Sequence, residues 1–354
     1  MDLTHFAPHE LEGLLGAIGN TPIARLDVRS DGDDHSLFLK LEGENPGGSV
    51  KDRTAAALVD DLERRGLVSP DSVVVESTSG NLGVALALIT RAKGYRFHAV
   101  LDPKASRTSV ETIRALGASF EVVEEADASG GYLLARLRRV RELCEEWDDA
   151  VWTNQYANSA NPRAHFTGTG PEIFRQMEGR VGTVVVPVST GGTLGGIGRF
   201  LRAESPETEL VAVDSRGSVA LGGEPGPRLL TGIGAARRSE FLLDARLYDQ
   251  AVLVEDASAI AFCRFVADRT GVALGGSSGA VLAAAAGLIA EGRRERIVCL
   301  CPDYGDRYAA TIYDDAWLEQ HGIELRDELL APVADVALSD VLPAARVPVS
   351  ALAR

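Results

Sequence analysis

The sequence predicts an α/β protein with two three-layer domains, each built on a mostly parallel sheet that is covered by helices on both faces. Three observations support this prediction. The chain has 354 residues, about twice the length of a typical domain of roughly 150 residues. Hydrophobic residues make up 45% and charged residues 25% of the chain, which is the balance of an ordinary globular protein. Short apolar or β-branched runs alternate with Gly-containing loops and helical segments in both halves, a pattern typical of parallel α/β sheets.

In the first half, short runs of apolar and β-branched residues predict four strands, at residues 37–41, 72–76, 97–101 and 120–123. A helix is expected to begin at Ser49 and to run to Arg65, because Gly66 then offers a stop. The loop 77–80 separates the second strand from a helix rich in Ala and Leu. This order of strand, loop and helix is that of a parallel sheet with crossover helices.

In the second half, the same alternation predicts four more strands, at residues 183–188, 209–213, 251–254 and 297–301. The two series divide near Asn154, so we expect an N-terminal domain of residues 1–155 and a C-terminal domain of residues 156–325. Residues 326–354 contain three prolines and no clear strand or long helix. We expect them to form a tail that is partly disordered or packs on a partner.

Charge and composition exclude several classes of function. The chain carries 36 basic and 51 acidic residues, a net charge of −15, which disfavours binding to nucleic acids or to anionic membranes. Its longest apolar run, 279–290, has 12 residues and is too short to span a bilayer. The first residues do not resemble a signal peptide. The four cysteines form no CxxC pair, so we expect reduced thiols, no metal site and a cytoplasmic location.

The first loop with possible chemistry is the Gly-rich turn 45–53, which contains Lys51. Ser49 and Asp52 are spaced as a capping box, so Lys51 is expected in the first turn of the following helix. A helix N-terminus lowers the pKa of an amine, and a neutral amine is the form that attacks a carbonyl. The spacing alone is also that of an ordinary solvated lysine after a Gly turn.

Two further loops, each between a strand and a helix, offer hydroxyl groups and backbone N–H groups. Residues 78–81 (Thr-Ser-Gly-Asn) are a candidate carboxylate site and residues 189–193 (Ser-Thr-Gly-Gly-Thr) a candidate phosphate site, because a helix N-terminus attracts anions. The alternatives are an ordinary capping loop for the first and a bare tight turn for the second. The second loop matches neither the dinucleotide-binding nor the P-loop pattern.

A fourth loop, 275–279 (Gly-Gly-Ser-Ser-Gly), matches the G-x-S-x-G pattern of a hydrolase nucleophile. A hydrolase with that chain order needs a histidine after the serine, and His321 alone follows it. No strong acid signal accompanies this pair. The pattern therefore does not favour a hydrolase.

Taken together and in this order, the loops resemble the cysteine synthase family of pyridoxal-phosphate (PLP) enzymes. The resemblance runs from about residue 15 to about residue 325. It is carried by the stretches 19–22, 45–53, 76–83, 154–155, 161–162, 189–193, 275–279 and 305–308. It implies a tryptophan synthase β-like fold (PLP fold type II) in which residues 15–36 cross to the other domain. It also implies a transferase that uses pyridoxal 5'-phosphate and acts as a homodimer on small amino-acid substrates.

The resemblance further implies roles for individual residues. Lys51 falls at the catalytic lysine that forms the Schiff base, Asn81 at the contact to the ring hydroxyl, and Ser277 at the residue that faces the pyridine nitrogen. The loop for the cofactor phosphate comprises Ser189, Thr190, Gly191, Gly192 and Thr193. Binding of the substrate carboxylate falls to Ser77, Thr78, Ser79, Gly80 and Gln155.

The small number of lysines supports the assignment of Lys51. Four of the 36 basic residues are lysines: Lys40, Lys51, Lys93 and Lys104. Of these, Lys51 alone sits at a Gly-rich turn into a helix. A serine facing the pyridine nitrogen stabilises a pyridinium less than a carboxylate does, so the ring is a weaker electron sink. That property favours prompt loss of a group from Cβ, followed by attack of a second nucleophile, over transamination.

Details of the sequence depart from the sulfhydrylases of this family. Ser189 stands where they usually have glycine, and Tyr156 where they usually have phenylalanine. Five other stretches look instead like a branch of the family that joins O-phospho-L-serine to the amine of L-glutamate and releases phosphate: 76–83, 102–104, 130–133, 214–218 and 232–235. Its product, N-(2-amino-2-carboxyethyl)-L-glutamate, is a precursor of L-2,3-diaminopropionate in siderophore or antibiotic biosynthesis.

We expect Arg136, Arg216 and Arg237, with Tyr156, to bind the anionic substrates of that branch, because phosphate and carboxylate need local cations. Two alternatives stay open. The first is a cysteine synthase that uses sulfide with O-acetyl-L-serine or O-phospho-L-serine. The second is a non-catalytic relative that binds amino acids or a partner protein, against which the intact Lys51 argues.

Overall fold

The structure of the chain is a computed structural model. It describes residues 8–78, 80–126, 131–293, 295–331 and 333–342. In chain order the strands are β1 (Ile23–Ser30), β2 (Asp33–Leu41), β3 (Val73–Ser77), β4 (Arg96–Leu101), β5 (Ser119–Val122), β6 (Ala150–Trp152), β7 (Thr183–Pro187), β8 (Glu209–Ser215), β9 (Gln250–Val254), β10 (Ile297–Cys301) and β11 (Val333–Leu342).

These strands form two sheets. The larger has seven strands in the order β11-β1-β2-β10-β7-β8-β9, and the smaller has four in the order β5-β4-β3-β6. Neighbouring strands are parallel throughout the smaller sheet and from β2 to β9 in the larger one. Strand β1 is antiparallel to both of its neighbours. The model therefore has the predicted α/β architecture with mostly parallel sheets.

The helices that cover the sheets are α1 (Pro8–Leu15), α2 (Lys51–Arg64), α3 (Asn81–Lys93), α4 (Arg107–Ala115), α5 (Leu133–Glu146), α6 (Ala160–Ala164), α7 (Gly170–Gln176), α8 (Gly192–Glu204), α9 (Asp256–Thr270), α10 (Gly276–Ala290) and α11 (Asp315–Gln320). Helices α3 and α10 are buried over almost their whole length. Each begins at a loop that the sequence singled out: the loop before α3 follows β3, and the loop before α10 follows α9.

The eight predicted strands all form, with ends that differ by a few residues at most. Strands β1, β6 and β11 were not predicted. The expectation that the tail has no strand was wrong, because Val333–Leu342 pairs with β1 along the edge of the larger sheet. Most residues of 333–340 remain exposed there. Such a half-exposed edge strand lacks the continuous apolar run of a central parallel strand. Residues 343–354 lie outside the described part of the chain.

Strands β1 and β2 join the larger sheet, although they precede all the strands of the smaller one. Strand β2 pairs with β10, which places Leu41 beside Cys301. Strands β1 and β2 therefore pair into a sheet with strands from the second half of the chain. The crossing of residues 15–36 to the other domain stays a prediction. The exact domain boundaries at 155 and 325 stay a prediction.

The described residues bear on three expectations from the sequence, which concern the cysteine thiols, a metal site and membrane-spanning helices. All four cysteines are free, and Cys299 and Cys301 are buried next to each other on β10. Among the described residues there is no cluster of His, Cys, Asp and Glu suited to a metal ion. In that same part of the chain no helix has the length and apolar character needed to cross a bilayer.

Candidate active site

A cleft of about 330 Å³ opens beyond the carboxyl ends of β7 and β10. Its walls bring Lys51 together with Ser189, Thr190, Gly191 and Thr193. Ligands of α/β proteins usually bind beyond the carboxyl ends of parallel strands. The structure thus brings the candidate lysine and the candidate phosphate loop into one site.

Lys51 is the first residue of α2, and its backbone N–H donates to Ser49 Oγ over 3.2 Å. Burial lowers the pKa of the Lys51 amine, while the negative charges of Asp303 and Glu42 act in the opposite direction. The predicted direction of the change is therefore found, although burial is its main cause. A lowered pKa leaves more of the amine in the neutral, nucleophilic form.

The expected capping box at Ser49 and Asp52 does not form. Asp52 Oδ2 instead accepts a hydrogen bond from Gly47 N, and Asp52 Oδ1 is buried without a partner among the described residues. Burial raises the pKa of Asp52 to about 7. The carboxyl group thus shapes the Gly-rich turn before Lys51 rather than capping the helix.

The loop between β7 and α8 has a backbone that tolerates few side chains. Gly191 has φ +87°, and a Cβ added to it would lie 2.0 Å from Ser239 Oγ. A Cβ on Gly192 would lie 2.1 Å from Asn161 Oδ1. The two glycines therefore let the loop pack closely against Ser239 and Asn161 at the N-terminus of α8, and a helix N-terminus suits a phosphate.

His165 contacts Thr193 of the phosphate loop. Its Nε2 lies 3.2 Å from both Thr54 Oγ1 and Thr193 Oγ1, and its Nδ1 lies 2.9 Å from Thr169 Oγ1. Burial lowers the pKa of His165 to about 3, so the ring is neutral near pH 7. His165 is therefore a packed, hydrogen-bonded histidine that contacts Thr193.

Asn81 is the first residue of α3, and both ends of its amide are held by the segment after β10. Asn81 Nδ2 donates to Asp303 Oδ2 over 2.6 Å, and Asn81 Oδ1 accepts from Arg307. Tyr308 OH also donates to Asp303 Oδ2 over 2.6 Å. Burial raises the pKa of Asp303, and Asp303 Oδ1 has no hydrogen-bond partner among the described residues.

Sequence reasoning missed the role of Asp303. The neighbouring stretch 305–308 is part of the resemblance, but an isolated aspartate after a strand gave no signal of its own.

Ser277 lies in the first turn of α10 and is 3% exposed. The preceding Gly275 donates its N–H to Asp303 O over 3.1 Å, which holds the start of α10 against this segment.

The candidate carboxylate loop also forms one cluster. Gln155 Nε2 donates to Ser77 O over 2.8 Å, and the N–H groups of Gly80 and Gly83 donate to Thr78 Oγ1. Ser77 Oγ is buried without a partner among the described residues. Ser79 lies outside the described residues, so its predicted role stays a prediction.

The predicted arginines lie in different environments. The Arg237 guanidinium is 5.5 Å from the centre of the Tyr156 ring, and Arg136 is 6% exposed on α5. Arg216 has a side chain that is 63% exposed and forms an ion pair with Glu255. Arg237 therefore contacts the buried Tyr156, whereas Arg216 faces solvent. A substrate role for Arg216 stays a prediction.

Comparison with known proteins gives one family and several relatives. A family model described as "Pyridoxal-phosphate dependent enzyme" matches residues 14–303. The chain is 43% identical over 338 residues to the N-(2-amino-2-carboxyethyl)-L-glutamate synthase of Ralstonia nicotianae, an alignment that covers 95% of this chain and 97% of that protein.

Two solved structures extend the likeness to the fold. An O-ureido-L-serine synthase is 35% identical with a TM-score of 0.76, over 86% of this chain and 98% of the other. A hydrogen sulfide-producing enzyme from Fusobacterium nucleatum is 30% identical with a TM-score of 0.77, over 83% of this chain and 98% of the other. The fold agrees with the expectation from the sequence.

Proposed function

The chain belongs to the family of pyridoxal-phosphate-dependent enzymes, and from this premise we propose that it joins O-phospho-L-serine to L-glutamate. The product is N-(2-amino-2-carboxyethyl)-L-glutamate, and phosphate is released. The observation that carries the proposal is the 43% identity to the Ralstonia nicotianae synthase over 95% of this chain. Tyr156 and Ser189, where the sequence departs from sulfhydrylases, support the same substrate choice.

The residues of the cleft fit pyridoxal 5'-phosphate. The loop 189–193 lines the cleft with Ser189, Thr190, Gly191 and Thr193 and leads into the N-terminus of α8, so its hydroxyl and N–H groups suit the phosphate. Lys51, with its lowered pKa, lies in the same cleft to bind the aldehyde carbon. Asn81 is proposed to contact the ring hydroxyl, and Ser277 the pyridine nitrogen.

When bound, the cofactor withdraws electrons from the substrate Cα and so acidifies its proton. Lys51 Nζ is the proposed base that accepts this proton, because its amine has a lowered pKa in the cleft. The Ser277 hydroxyl carries no negative charge, so it would stabilise a protonated pyridine nitrogen less than a carboxylate does, which disfavours transamination. Asp303 and Arg307 hold the Asn81 amide in one orientation.

The substrate carboxylate is proposed to bind at residues 77–80 and Gln155. Ser77 Oγ, which has no partner among the described residues, is one donor that a carboxylate would satisfy. Gln155 is fixed by two contacts: its N–H donates to Glu76 Oε2 over 2.9 Å and its Nε2 donates to Ser77 O. Held in this way, Ser77 and Gln155 would orient the substrate so that its Cα proton faces Lys51.

A second candidate function is synthesis of cysteine from sulfide with O-acetyl-L-serine or O-phospho-L-serine. The 30% identity to the hydrogen sulfide-producing enzyme of Fusobacterium nucleatum favours it. The third candidate, a non-catalytic binding protein, conflicts with an intact Lys51 in the cleft and with the family of enzymes to which the chain belongs.

Steady-state assays of the holoenzyme test the proposal. Phosphate release from O-phospho-L-serine should depend on added L-glutamate, and mass analysis should find one adduct per phosphate released. Release that occurs with sulfide but not with glutamate would favour the second candidate. Purified protein that stays colourless after addition of the cofactor would contradict both.

We further propose that the enzyme acts as a homodimer in the cytoplasm, in a pathway to a siderophore or an antibiotic. The family resemblance supports the dimer, and the four free cysteines support a reducing compartment. Light scattering after size-exclusion chromatography should give twice the chain mass of 37.5 kDa. A single-chain mass would contradict the dimer.

A further inference from the structure

Glu42, the residue that follows β2, contacts the chain on both sides of Lys51. Its Oε2 accepts from Arg53 Nε over 2.6 Å and from Asn45 Nδ2 over 3.0 Å. Its Oε1 accepts from Arg53 Nη2 over 2.9 Å and from Thr21 Oγ1 over 2.7 Å. Asn45 precedes Lys51 in the Gly-rich turn, and Arg53 follows it in the first turn of α2. One fully buried carboxylate therefore ties down both flanks of the proposed Schiff-base lysine.

The Arg53 guanidinium also binds a second carboxylate, that of Glu172 on α7. Arg53 Nη1 donates to Glu172 Oε1 over 2.7 Å, and Arg53 Nη2 donates to Glu172 Oε2 over 2.6 Å. A Cβ added to Gly19 would lie 2.9 Å from Arg53 Nη1, and one added to Gly168 would lie 3.3 Å from it. Two bidentate pairs and close backbone at two places thus confine the guanidinium.

Lys40 completes an ion cluster whose members are Lys40, Glu42, Arg53 and Glu172. Lys40 Nζ donates to Thr21 O over 2.7 Å, to Glu172 Oε2 over 2.8 Å and to Gln176 Oε1 over 2.9 Å. Three donated hydrogen bonds require the ammonium form of Lys40. Burial raises the pKa of Glu172, but the hydrogen bonds and the charge of Arg53 outweigh burial and hold that pKa at about 2. Two cations therefore face two carboxylates.

This ion cluster is better suited to fixing a geometry than to raising the stability of the fold. Buried ion pairs add little stability compared with well-packed apolar residues, because the charged groups lose their hydration. Bidentate pairs between guanidinium and carboxylate groups are, however, short and directional. Arg53 makes such a pair with each of its two carboxylates, so α2 is held in one orientation against β2 and α7.

The stretch 19–22, which the resemblance includes without a chemical role, packs against the ion cluster and the turn. Gly19 has φ +90°, and its N–H donates to Asn45 Oδ1 over 2.8 Å. The N–H of Asn20 donates to Glu172 Oε1 over 2.8 Å. Glycine at position 19 therefore lets the backbone contact Asn45 of the turn while it lies next to the Arg53 guanidinium.

We propose that Glu42 and Arg53 form a positioning clamp that keeps the Lys51 side chain directed into the cleft. The clamp holds the Gly-rich turn through Asn45 and the first turn of α2 through Arg53. Lys51 lines the cleft, whereas neither Glu42 nor Arg53 is among the described residues that line it. Both are therefore positioning residues that act through Lys51. The inference rests on the proposed role of Lys51, but not on the choice between glutamate and sulfide.

Arg53→Lys tests the clamp while it keeps the positive charge. A lysine offers one nitrogen instead of a planar fork, so it does not hold both carboxylates in bidentate pairs. We expect the kcat of the holoenzyme to fall about tenfold or more, because a small misplacement of a reacting group has that effect on rate. Apoenzyme mixed with saturating pyridoxal 5'-phosphate should also develop the visible absorbance of lysine-bound cofactor more slowly, by a similar factor.

Asn45→Ala is a second test that removes no charge. It breaks the contact between the turn and Glu42 but keeps both ion pairs of Arg53, so it should fold even if Arg53→Lys does not. Both rates should fall by about threefold or more, since one arm of the clamp is lost and the other remains. Wild-type rates, within twofold, in either folded variant would overturn the clamp.

Lys40→Met is the matched control, because Lys40 is fully buried in the same ion cluster. Its three hydrogen bonds go to Thr21, Glu172 and Gln176, which all lie outside the turn 45–53. The variant should have a lowered thermal midpoint, because it removes one partner of a buried ion pair. Both rates should stay within twofold of the wild type. Equal losses of rate in Lys40→Met and Arg53→Lys would overturn the clamp, because the ion cluster would then act through stability alone.

Failure of the proposed function gives a different result. If the enzyme uses sulfide instead of glutamate, the rate at which the cofactor absorbance appears still tests the clamp, because no nucleophile takes part in that step. If Lys51 does not bind the cofactor, Lys51→Ala keeps the visible absorbance, and the clamp then has no catalytic lysine to position and is wrong too. Loss of that absorbance in Lys51→Ala, with wild-type rates in Arg53→Lys, would overturn the clamp alone.

Discussion

Asp303 Oδ2 accepts a hydrogen bond from Asn81 Nδ2 over 2.6 Å. This bond joins the start of α3, which follows the smaller sheet, to the segment that follows β10 of the larger sheet. Arg307 donates to the other end of the same amide and also to Gly47 O. The segment 303–307 therefore positions Asn81 and the turn before Lys51 at the same time.

Asp303→Ala should lower kcat about ten- to a hundredfold, because small displacements of positioning groups cost that much in rate. The substitution removes the acceptor for both Asn81 Nδ2 and Tyr308 OH. Single-turnover and steady-state rates of the holoenzyme would measure the loss. A kcat within twofold of the wild type would show that Asn81 does not need Asp303 for its orientation.

Lys51→Ala should abolish the visible absorbance of lysine-bound cofactor and lower the activity by roughly a hundredfold or more, as expected when a catalytic base is lost. The matched control is Lys104→Ala, because Lys104 is exposed on the loop after β4. The control should keep its spectrum and its rate. A native absorbance band in the Lys51 variant would refute the lysine assignment.

Gly191→Ala should weaken cofactor binding, since the positive φ and the close Ser239 Oγ leave no room for a Cβ. Backbone strain of this kind costs about 1–3 kcal/mol. Titration of the apoenzyme with the cofactor would measure the loss of affinity. Unchanged affinity would contradict the proposed phosphate loop.

Gly287→Ala serves as the control for that substitution. Gly287 lies inside α10, and a Cβ added there would meet nothing within 4 Å. Alanine in a helix interior is favoured over glycine by roughly 0.5–1 kcal/mol. Its thermal midpoint should therefore rise slightly, while its cofactor affinity stays that of the wild type.

Asp52 gives the stability of the protein a specific pH dependence. Burial raises its pKa from 3.8 to about 7, so between these values the folded state holds a proton that the unfolded state has released. The Asp52 contribution therefore becomes less favourable as the pH rises from about 4 to about 7, by roughly 4 kcal/mol at most. Above pH 7 both states are ionised and the penalty stays constant.

Asp52→Asn removes that titration and keeps an oxygen that can accept from Gly47 N. The stability of the variant relative to the wild type should thus increase between pH 5 and pH 8, as measured by urea or thermal unfolding with saturating cofactor. An equal difference at both pH values would show that Asp52 does not titrate with a raised pKa. Comparison with the wild type at each pH cancels the titration of other groups.

Periodicity predicted the central strands and buried helices because these segments are apolar along their whole length. It missed β1 and β11, in which exposed polar residues interrupt the apolar pattern. It also missed β6, which has three residues. These strands depend on pairing with neighbours that are distant in sequence, and such pairing leaves little local signal.

The proposed cofactor residues gave a signal in the sequence because each lies in a Gly-containing loop before a helix. Asp303 gave no such signal, because its contact is with Asn81, which is distant in the chain. Arg216 is the opposite case, in which a local signal was present but the contact was not. The stretch around it resembled the family branch, yet its side chain faces solvent beside Glu255. Local motifs identify loops, whereas the direction of a long side chain depends on tertiary packing.

The most direct test of the central claim is a competition between the two nucleophiles. The holoenzyme is incubated with O-phospho-L-serine and equal concentrations of ¹⁵N-labelled L-glutamate and sulfide, and the products are separated by mass. We expect the labelled nitrogen in an N-(2-amino-2-carboxyethyl)-L-glutamate product that matches the released phosphate one to one. Cysteine as the main product, with no labelled adduct, would contradict the proposed function.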